Sequence, residues 1–233
     1  MNSIRTLDLG KGQDLQQSVI PVRPKDQVAF SCRLCGDCCH HVDNSIMLEP
    51  LDAYHLGRYL RKHGAGLDNI EDVYGRYAHL SMLYDSFPIF LLNTQGKDQS
   101  CIFLEDGRCG VYEGRPRVCR LYPFTVKEGD RGQRFAYYQC LDCHASHFVG
   151  GKVKIGDWMY HNFTRDARDF VELEASALPE LAELLKKLGP GGRRQFLFRL
   201  LYYRYYNYDL DQPFLPQYQE NRRLLIDALR KEV

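Results

Sequence analysis

Long apolar runs are missing from this 233-residue chain. The longest run, residues 87–92, falls far short of the roughly 20 apolar residues that a membrane-spanning helix requires. The first thirty residues also contain no apolar segment of the kind that a secretory signal peptide needs. We therefore expect no membrane association and a cytoplasmic location, where thiols stay reduced.

An excess of charge of one sign is also missing. The chain carries 31 basic and 30 acidic residues, which gives a formal net charge of +1. Such a chain creates no overall field that would attract nucleic acid or an anionic membrane surface. We therefore expect no nucleic-acid partner.

Several motifs that mark enzyme classes are not found in the sequence. It has no Gly-rich nucleotide fingerprint, no C-x3-C-x2-C spacing of the radical S-adenosylmethionine enzymes, and no recognisable set of nucleophile, base and acid. Catalytic residues and an enzymatic reaction therefore stay unassigned. A methyltransferase would need a cofactor pocket that no motif here indicates.

Cysteine, in contrast, is abundant. The nine cysteines begin with the run C-x2-C-x2-C-C and end with a C-x2-C pair. An odd number with two adjacent cysteines fits a disulfide framework poorly, and the reducing cytosol disfavours disulfides. Such close spacing is typical of zinc and iron–sulfur ligands. The candidate metal ligands are Cys32, Cys35, Cys38, Cys39, Cys101, Cys109, Cys119, Cys140 and Cys143.

The number of cysteines predicts two metal centres. Four thiolates complete a tetrahedral zinc site or a cubane iron–sulfur cluster, so eight cysteines fill two sites and leave one over. Neighbouring side chains of an extended backbone point in different directions, which favours Cys38 and Cys39 serving different centres. The spacing leaves the remaining ligands unassigned to either centre.

The hydrophobic pattern predicts an α+β fold. We expect a polar lead-in over residues 1–25 and a small, irregular cysteine domain of short antiparallel strands and flanking helices over residues 26–150. A helical C-terminal segment, residues 151–233, is expected to pack on that domain.

The periodicity also predicts individual elements. Expected helices cover residues 50–61, 69–80 with Asp68 as the N-cap, 193–206 and 221–230, and another begins at residues 176–179 and ends at the glycines after Leu188. Expected hairpins pair residues 87–92 with 101–104 and residues 121–127 with 134–138.

The segment from Phe30 to Cys143, about half of the chain, resembles a known family. The residues that carry the resemblance are the run from Cys32 to Cys39 and the motifs C-I-F-L at 101–104, C-G-V-Y at 109–112, R-P at 115–116 and C-R-L-Y-P-F at 119–124. They are similar to the CxxCxxCC family of zinc- or iron-chelating domains, also described as YkgJ-type cysteine cluster proteins. The segment after Asp157 lies outside the resemblance.

The resemblance implies eight ligand cysteines, namely the seven up to Cys119 and one of Cys140 or Cys143. Family members are described as iron–sulfur oxidoreductases or chelating proteins, and a related cysteine cluster occurs in flagellin lysine N-methylases. The resemblance therefore implies a metal-binding protein with one or two iron–sulfur centres of the 4Fe-4S type and a role in redox or electron transfer. A part in protein lysine methylation is a further candidate.

Zinc is the alternative to iron, because both bind four thiolates while zinc has no redox chemistry. The run C-x2-C-x2-C resembles three ligands of a ferredoxin and favours iron. Cys32 and Cys35 could instead pair with Cys140 and Cys143 as zinc knuckles, although their separation far exceeds the usual spacing of about 15–20 residues. With zinc, the chain would be a non-enzymatic binding module that the metal stabilises.

Histidines near the cysteines suggest other cofactors. Residues 140–144 match the C-x-x-C-H signature of c-type haem attachment, which the expected cytoplasmic location disfavours. Histidine also ligates iron in Rieske centres, but the chain has enough cysteines without it. The following histidines are therefore expected to be polar loop residues or hydrogen-bond donors to sulfur: His40, His41, His144, His147 and His161.

Two groups of side chains could support a metal centre or a partner. Arg115 and Arg120 flank Cys119, and their guanidinium groups either offset thiolate charge or form exposed salt bridges. Residues 196–208 mix aromatic side chains with arginine. We expect this helix to pack on the cysteine domain, and we expect a redox partner or a modified protein to bind the C-terminal helices.

Overall fold

The computed structural model describes residues 5–6, 18–83, 87–129, 132–141 and 145–232, and its fold is α+β as predicted. Cys143 and His144 lie outside the described residues. The strands are β1 (Arg5–Thr6), β2 (Ser18–Val22), β3 (Gln27–Ala29), β4 (Ala78–Leu83), β5 (Phe87–Leu92), β6 (Thr94–Gln95), β7 (Ser100–Cys101), β8 (Leu104–Glu105), β9 (Arg108–Cys109), β10 (Phe124–Glu128), β11 (Phe135–Cys140) and β12 (Lys152–Lys154). The α-helices are α1 (Pro50–Lys62), α2 (Ile70–Tyr77), α3 (Arg117–Leu121), α4 (Ile155–Asn162), α5 (Arg165–Lys187), α6 (Pro190–Leu200) and α7 (Phe214–Arg230).

The largest sheet is antiparallel, with strand order β1-β2-β11-β10. Its β10–β11 hairpin is the one predicted around the Gly-rich turn, and Phe124 lies opposite Gln139. Strand β2 pairs with β11 although it lies in residues 1–25, where a polar lead-in was expected. Cys140 is the last residue of β11, so this sheet carries it to one end of the strand.

The other hairpins differ from the predicted pairing. Strand β5 pairs with β4 rather than with residues 101–104, because the residues directly after α2 form a strand that lies antiparallel beside it. The short hairpins β6–β7 and β8–β9 follow, with Thr94 opposite Cys101 and Leu104 opposite Cys109. Each of these two hairpins therefore presents one cysteine.

Helices α1 and α2 follow the sequence signals closely. Pro50 is the first residue of α1, where its missing N–H costs no hydrogen bond. Helix α2 begins with a capping box in which the Asn69 side chain accepts from the Asp72 backbone N–H, so the predicted cap Asp68 is wrong by one residue. The helix ends at Tyr77 rather than at residue 80, because Ala78 already belongs to β4.

The C-terminal helices are longer than predicted. Helix α5 begins at the Thr164 cap, whose side chain accepts from the Ala167 backbone N–H, and continues through Pro179. The expected start at residues 176–179 is therefore wrong. Helix α7 includes Pro216 in its first turn, where no intrahelical N–H bond is needed, so it starts seven residues before the predicted 221.

The aromatic segment packs against the rest of the chain. Residues Leu201–Tyr206 continue α6 as a π-helix. The Tyr205 hydroxyl donates to the Pro88 carbonyl oxygen over 2.9 Å, and its ring lies 5.0 Å from that of Phe90. In contrast, the side chains of Phe198 and Tyr202 are exposed.

A buried polar contact joins the C-terminal helices. Glu174 of α5 accepts hydrogen bonds from the Arg204 guanidinium in the π-helix and from the Tyr218 hydroxyl of α7. Burial alone would disfavour both charges, so each needs the other. This contact therefore fixes three helices relative to one another.

Phe30 lies directly before the first cysteines and is almost fully buried. Its ring contacts the rings of Tyr122, Phe124 and Trp158, the last at a centroid distance of 5.1 Å. The Trp158 indole N–H donates to the Leu121 carbonyl oxygen over 3.1 Å. These contacts hold the start of the cysteine run against α3 and α4.

Candidate metal centre

All eight cysteines that the structure describes line one cavity with a volume of about 450 Å³. They come from the loop after β3, from β7, β9 and β11, and from helix α3. Every predicted ligand among the described residues is therefore brought to this cavity, and only Cys143 lies outside the description.

Two left-handed residues shape the C-x2-C-x2-C-C loop. Leu34 has a φ of 55° and Gly36 a φ of 73°. A Cβ atom on Gly36 would lie only 2.5 Å from the Gly107 carbonyl oxygen, so glycine is required both for its φ and for the space. The Cys39 backbone N–H then donates to the Gly36 carbonyl oxygen over 2.7 Å. This turn directs successive cysteines into the cavity.

Helix α3 places Cys119 beside the loop cysteines. Its first backbone N–H, on Arg117, donates over 2.7 Å to the buried carboxylate of Asp52 in α1. The Arg117 side chain pairs with Glu49. Burial, together with the nearby Glu49 carboxylate, raises the pKa of Asp52 to about 7. This polar contact fixes the short helix on α1.

Five thiols interact with one another, and we call them the five-thiol set: Cys38, Cys39, Cys101, Cys109 and Cys119. The hydrogen bond with Cys39 lowers the pKa of Cys38 to about 7, and it lowers the pKa of Cys109 to about 7 as well. The same bonds, the one with Cys109 first, raise the pKa of Cys39. Two members of the set therefore become thiolates, the form that binds metals, close to neutral pH.

Burial raises the pKa of the Cys101 and Cys119 thiols. The neighbouring thiols add to this effect on Cys119, because several thiolates would repel one another in a small space. A bound cation removes that repulsion, since metal binding releases the thiol protons. The donor set of soft, clustered sulfurs fits zinc or an iron–sulfur cluster.

Arg115 is a cation that acts on the five-thiol set. Its guanidinium carbon lies 3.4 Å from the centroid of the Tyr112 ring, and its charge helps to lower the pKa of Cys38 and Cys109. Arg120 has a different environment, because burial lowers its pKa while the charge of Asp52 opposes that shift. From the sequence, the same role was expected for both arginines. Of these two, Arg115 lines the cavity and Arg120 does not.

A histidine contacts the other side of the cysteine loop. His147 is buried, and its Nε2 atom lies 3.2 Å from the Cys35 sulfur and 3.6 Å from the Asp37 carboxylate. Cys32 lies near a hydroxyl group, with its sulfur 3.9 Å from the Tyr112 oxygen. The expected contact between a histidine and a cysteine sulfur is thus present at His147.

His40, Asp98 and Ser100 form a group that the sequence did not reveal. The Ser100 hydroxyl donates to Asp98 over 2.6 Å, and both Asp98 and Ser100 lie within 2.8 Å of the same His40 atom, Nδ1. A serine hydrolase needs serine and aspartate on opposite ring nitrogens. The hydrogen bonds from Ser100 and His40 instead lower the pKa of Asp98 to about 2. This group therefore stabilises the loop after Cys39.

Across the described ranges of the chain, no helix combines the length and the apolar character needed to cross a membrane.

The comparisons with known proteins give one match. Residues 31–144 match the family model named CxxCxxCC, described as a putative zinc- or iron-chelating domain. No curated protein and no solved structure matches the chain. The matched segment contains all nine cysteines, and the eight that the structure describes line one cavity, which supports metal binding. Over residues 31–144, just under half of its length, the chain is thus similar to the CxxCxxCC family.

Proposed function

We propose that this chain is an iron–sulfur redox protein that transfers electrons to or from a protein partner. The observation that carries the proposal is the convergence of eight cysteines on one cavity. A structural zinc site is closed by four ligands. The five-thiol set alone exceeds that number, and three more thiols line the same space. Eight thiols suffice for two four-thiolate centres, and the run C-x2-C-x2-C, which resembles three ligands of a ferredoxin, favours 4Fe-4S clusters over zinc.

An iron–sulfur centre bound in this cavity would supply a one-electron redox couple. The candidate ligands are the five-thiol set together with Cys32, Cys35 and Cys140, and Cys143 stays a candidate from the sequence. Arg115 offsets part of the negative charge that several thiolates bring together. This charge compensation favours the reduced state of a bound centre, because reduction adds an electron to an anionic group.

Apolar side chains form much of the remaining wall. Phe103 and Val111 line the cavity and are buried in the main core. An apolar shell limits water access and thereby sets the redox potential of a bound centre. The cavity therefore combines sulfur donors, the nearby cation of Arg115 and buried apolar side chains.

The predicted partner surface at the C-terminal helices remains part of this proposal. Phe198 and Tyr202 are 70% and 50% exposed, on a segment in which the aromatic residues Phe196, Tyr205 and Tyr208 are buried. Aromatic side chains are enriched at protein interfaces, and these two would bury apolar surface in a complex.

The test is a purification under strictly anaerobic conditions, with iron, zinc and acid-labile sulfide measured on one sample. We expect a brown protein with matching amounts of iron and sulfide, and an absorbance that bleaches with dithionite. A colourless protein that contains zinc and no sulfide would refute the redox proposal and support the zinc-stabilised binding module.

A further inference from the structure

Three donor atoms of different chemistry meet beside the cysteine loop. They are the Cys35 sulfur, a carboxylate oxygen of Asp37 and Nε2 of His147, and all three lie within 4.8 Å of one another. Residues 35 and 147 are 112 positions apart in the chain, so the fold creates this group.

The imidazole of His147 is held in a fixed orientation. Its side chain is buried, and Nδ1 lies 3.0 Å from the Tyr122 hydroxyl oxygen. The Phe30 ring packs edge-on against it, and the Ser31 backbone N–H donates to the His147 carbonyl oxygen over 3.2 Å. Metal-binding histidines usually have their second ring nitrogen engaged in this way, which leaves the first one aimed at the metal.

The loop places the other two donors on the same side. The left-handed residue Gly36 separates Cys35 from Asp37, and the chain turns sharply there into the 3-10 turn Asp37–Cys39. Gly107, in the turn of the β8–β9 hairpin, lies directly against Gly36, so this turn packs on the hairpin. The positions of Cys35 and Asp37 are therefore fixed by the same contact.

We propose that Cys35, Asp37 and His147 bind a single divalent ion, zinc or ferrous iron, at a site chemically distinct from the five-thiol set. The inference rests on the proposed metal-binding function, adds a second kind of centre to it, and assigns Cys35 to that centre instead of to an iron–sulfur cluster. Tetrahedral zinc with bonds of about 2.0–2.3 Å keeps its ligand atoms about 3.5 Å apart. The separations of His147 Nε2 from Cys35 and Asp37, 3.2 Å and 3.6 Å, agree with that requirement.

The donor types also distinguish this site from an iron–sulfur cluster. Imidazole and carboxylate suit mononuclear zinc or iron, whereas cubane clusters are held by thiolates. Three protein ligands leave a fourth position, and Cys35 and His147 both line the large cavity. A fourth position that faces a cavity is typical of catalytic rather than structural zinc sites. This centre can therefore accept water or a small ligand.

The experiment measures metal content after equilibrium dialysis of the anaerobically purified protein against zinc chloride. Zinc, iron and sulfide are measured for the wild type and for His147→Gln, Asp37→Asn and the control His161→Gln, which changes an exposed histidine of α4. We expect the wild type and the control each to bind one zinc ion in addition to the iron and sulfide of the cluster. His147→Gln loses this ion, with an affinity loss larger than the about 10–100-fold cost of removing an outer-shell partner.

Asp37→Asn provides a second variant, because its side chain is 44% exposed and can change without disturbing the core. It should weaken zinc binding while iron and sulfide stay at the wild-type level. If His147→Gln and Asp37→Asn both retain the zinc ion, the proposed site is wrong. A shift of the cluster spectrum in His147→Gln without loss of zinc also overturns it, because His147 then only donates a hydrogen bond to sulfur. If wild-type protein binds no metal at all, the proposed function itself fails.

Discussion

Gly36 is the residue on which the geometry of the cysteine loop depends most directly. Its φ of 73° is unfavourable for any side chain, and a Cβ atom would meet the Gly107 carbonyl oxygen at 2.5 Å. Gly64 has a similar φ of 81° but open space around it. An alanine at Gly64 would therefore cost only the strained backbone, whereas an alanine at Gly36 would cost the strained backbone and the steric clash with Gly107.

We predict that Gly36→Ala lowers the metal content and destabilises the protein, because the loop must move away from the β8–β9 hairpin. Gly64→Ala should cost only the left-handed backbone, about 1–2 kcal/mol, and should keep the metal content of the wild type. Metal analysis and urea unfolding of both variants measure these effects. Equal metal content in the two variants would show that the loop tolerates the change.

His55 in α1 should give a pH dependence of stability. Burial first, and then the charge of Arg120, lowers its pKa from 6.5 to about 4. Between these values the unfolded chain binds a proton that the folded chain does not, so stability is lost as the pH falls from about 6.5 towards 4. The raised pKa of Asp52 has the opposite slope, so a comparison of variants is needed.

We predict that the wild type loses about 2 kcal/mol more unfolding free energy than His55→Gln between pH 7.5 and pH 5. Both proteins contain Asp52 and the metal ligands, so the pH-dependent contributions of these groups to stability cancel in the comparison. Urea unfolding at the two pH values measures the difference. If the two proteins lose the same unfolding free energy, His55 is already protonated in the folded protein at pH 5, and the prediction is wrong.

Single residues also show what the sequence could reveal about the site. The cysteines were predicted because thiol spacing is a local signal, and every described one lines the cavity. His147 was expected only as a sulfur hydrogen-bond donor, and Asp37 was not singled out. Their proximity depends on a contact across 112 positions, which spacing does not encode.

Buried charge links the C-terminal helices. Glu174 of α5 pairs with Arg204 of the π-helix and accepts from Tyr218 of α7. Breaking such a pair leaves an uncompensated charge in the interior. Arg223 of α7 forms comparable pairs with Glu220 and Asp227, but it lies on the helix surface.

We predict that Arg204→Met destabilises the protein by about 3 kcal/mol, because Glu174 stays buried without its counter-charge. Arg223→Met removes the same side chain from an exposed pair and should change stability little. Thermal unfolding of both variants tests the contrast. If the two variants lose the same stability, the Glu174 contact does not hold the helices together.

Element prediction succeeded where the signal was local. Pro50 marked the start of α1, and the Gly-rich turn marked the β10–β11 hairpin. Prediction failed where distant partners decide, as in the pairing of β5 with β4 and of β2 with β11. Proline was also weighted too strongly, since Pro179 lies inside α5 and Pro216 inside the first turn of α7.

The molecule as a whole places its cysteines where several separate elements meet. The loop after β3, two short hairpins, α3 and the end of β11 each contribute sulfur to one cavity. The loop carries four cysteines, whereas each of the other elements carries one described cysteine and could not hold a metal alone. A metal bound here would therefore connect the N-terminal and central parts of the chain and contribute to folding.

The most direct test of this account is X-ray absorption at the iron and zinc edges of the anaerobically purified protein. Sulfur neighbours at about 2.3 Å are expected to dominate the first shell of the metal at the five-thiol set, with iron–iron scattering if a cluster is bound. A first shell made only of nitrogen and oxygen at about 2.0–2.2 Å, or no bound metal at either edge, would contradict the claim that these thiols form a metal centre.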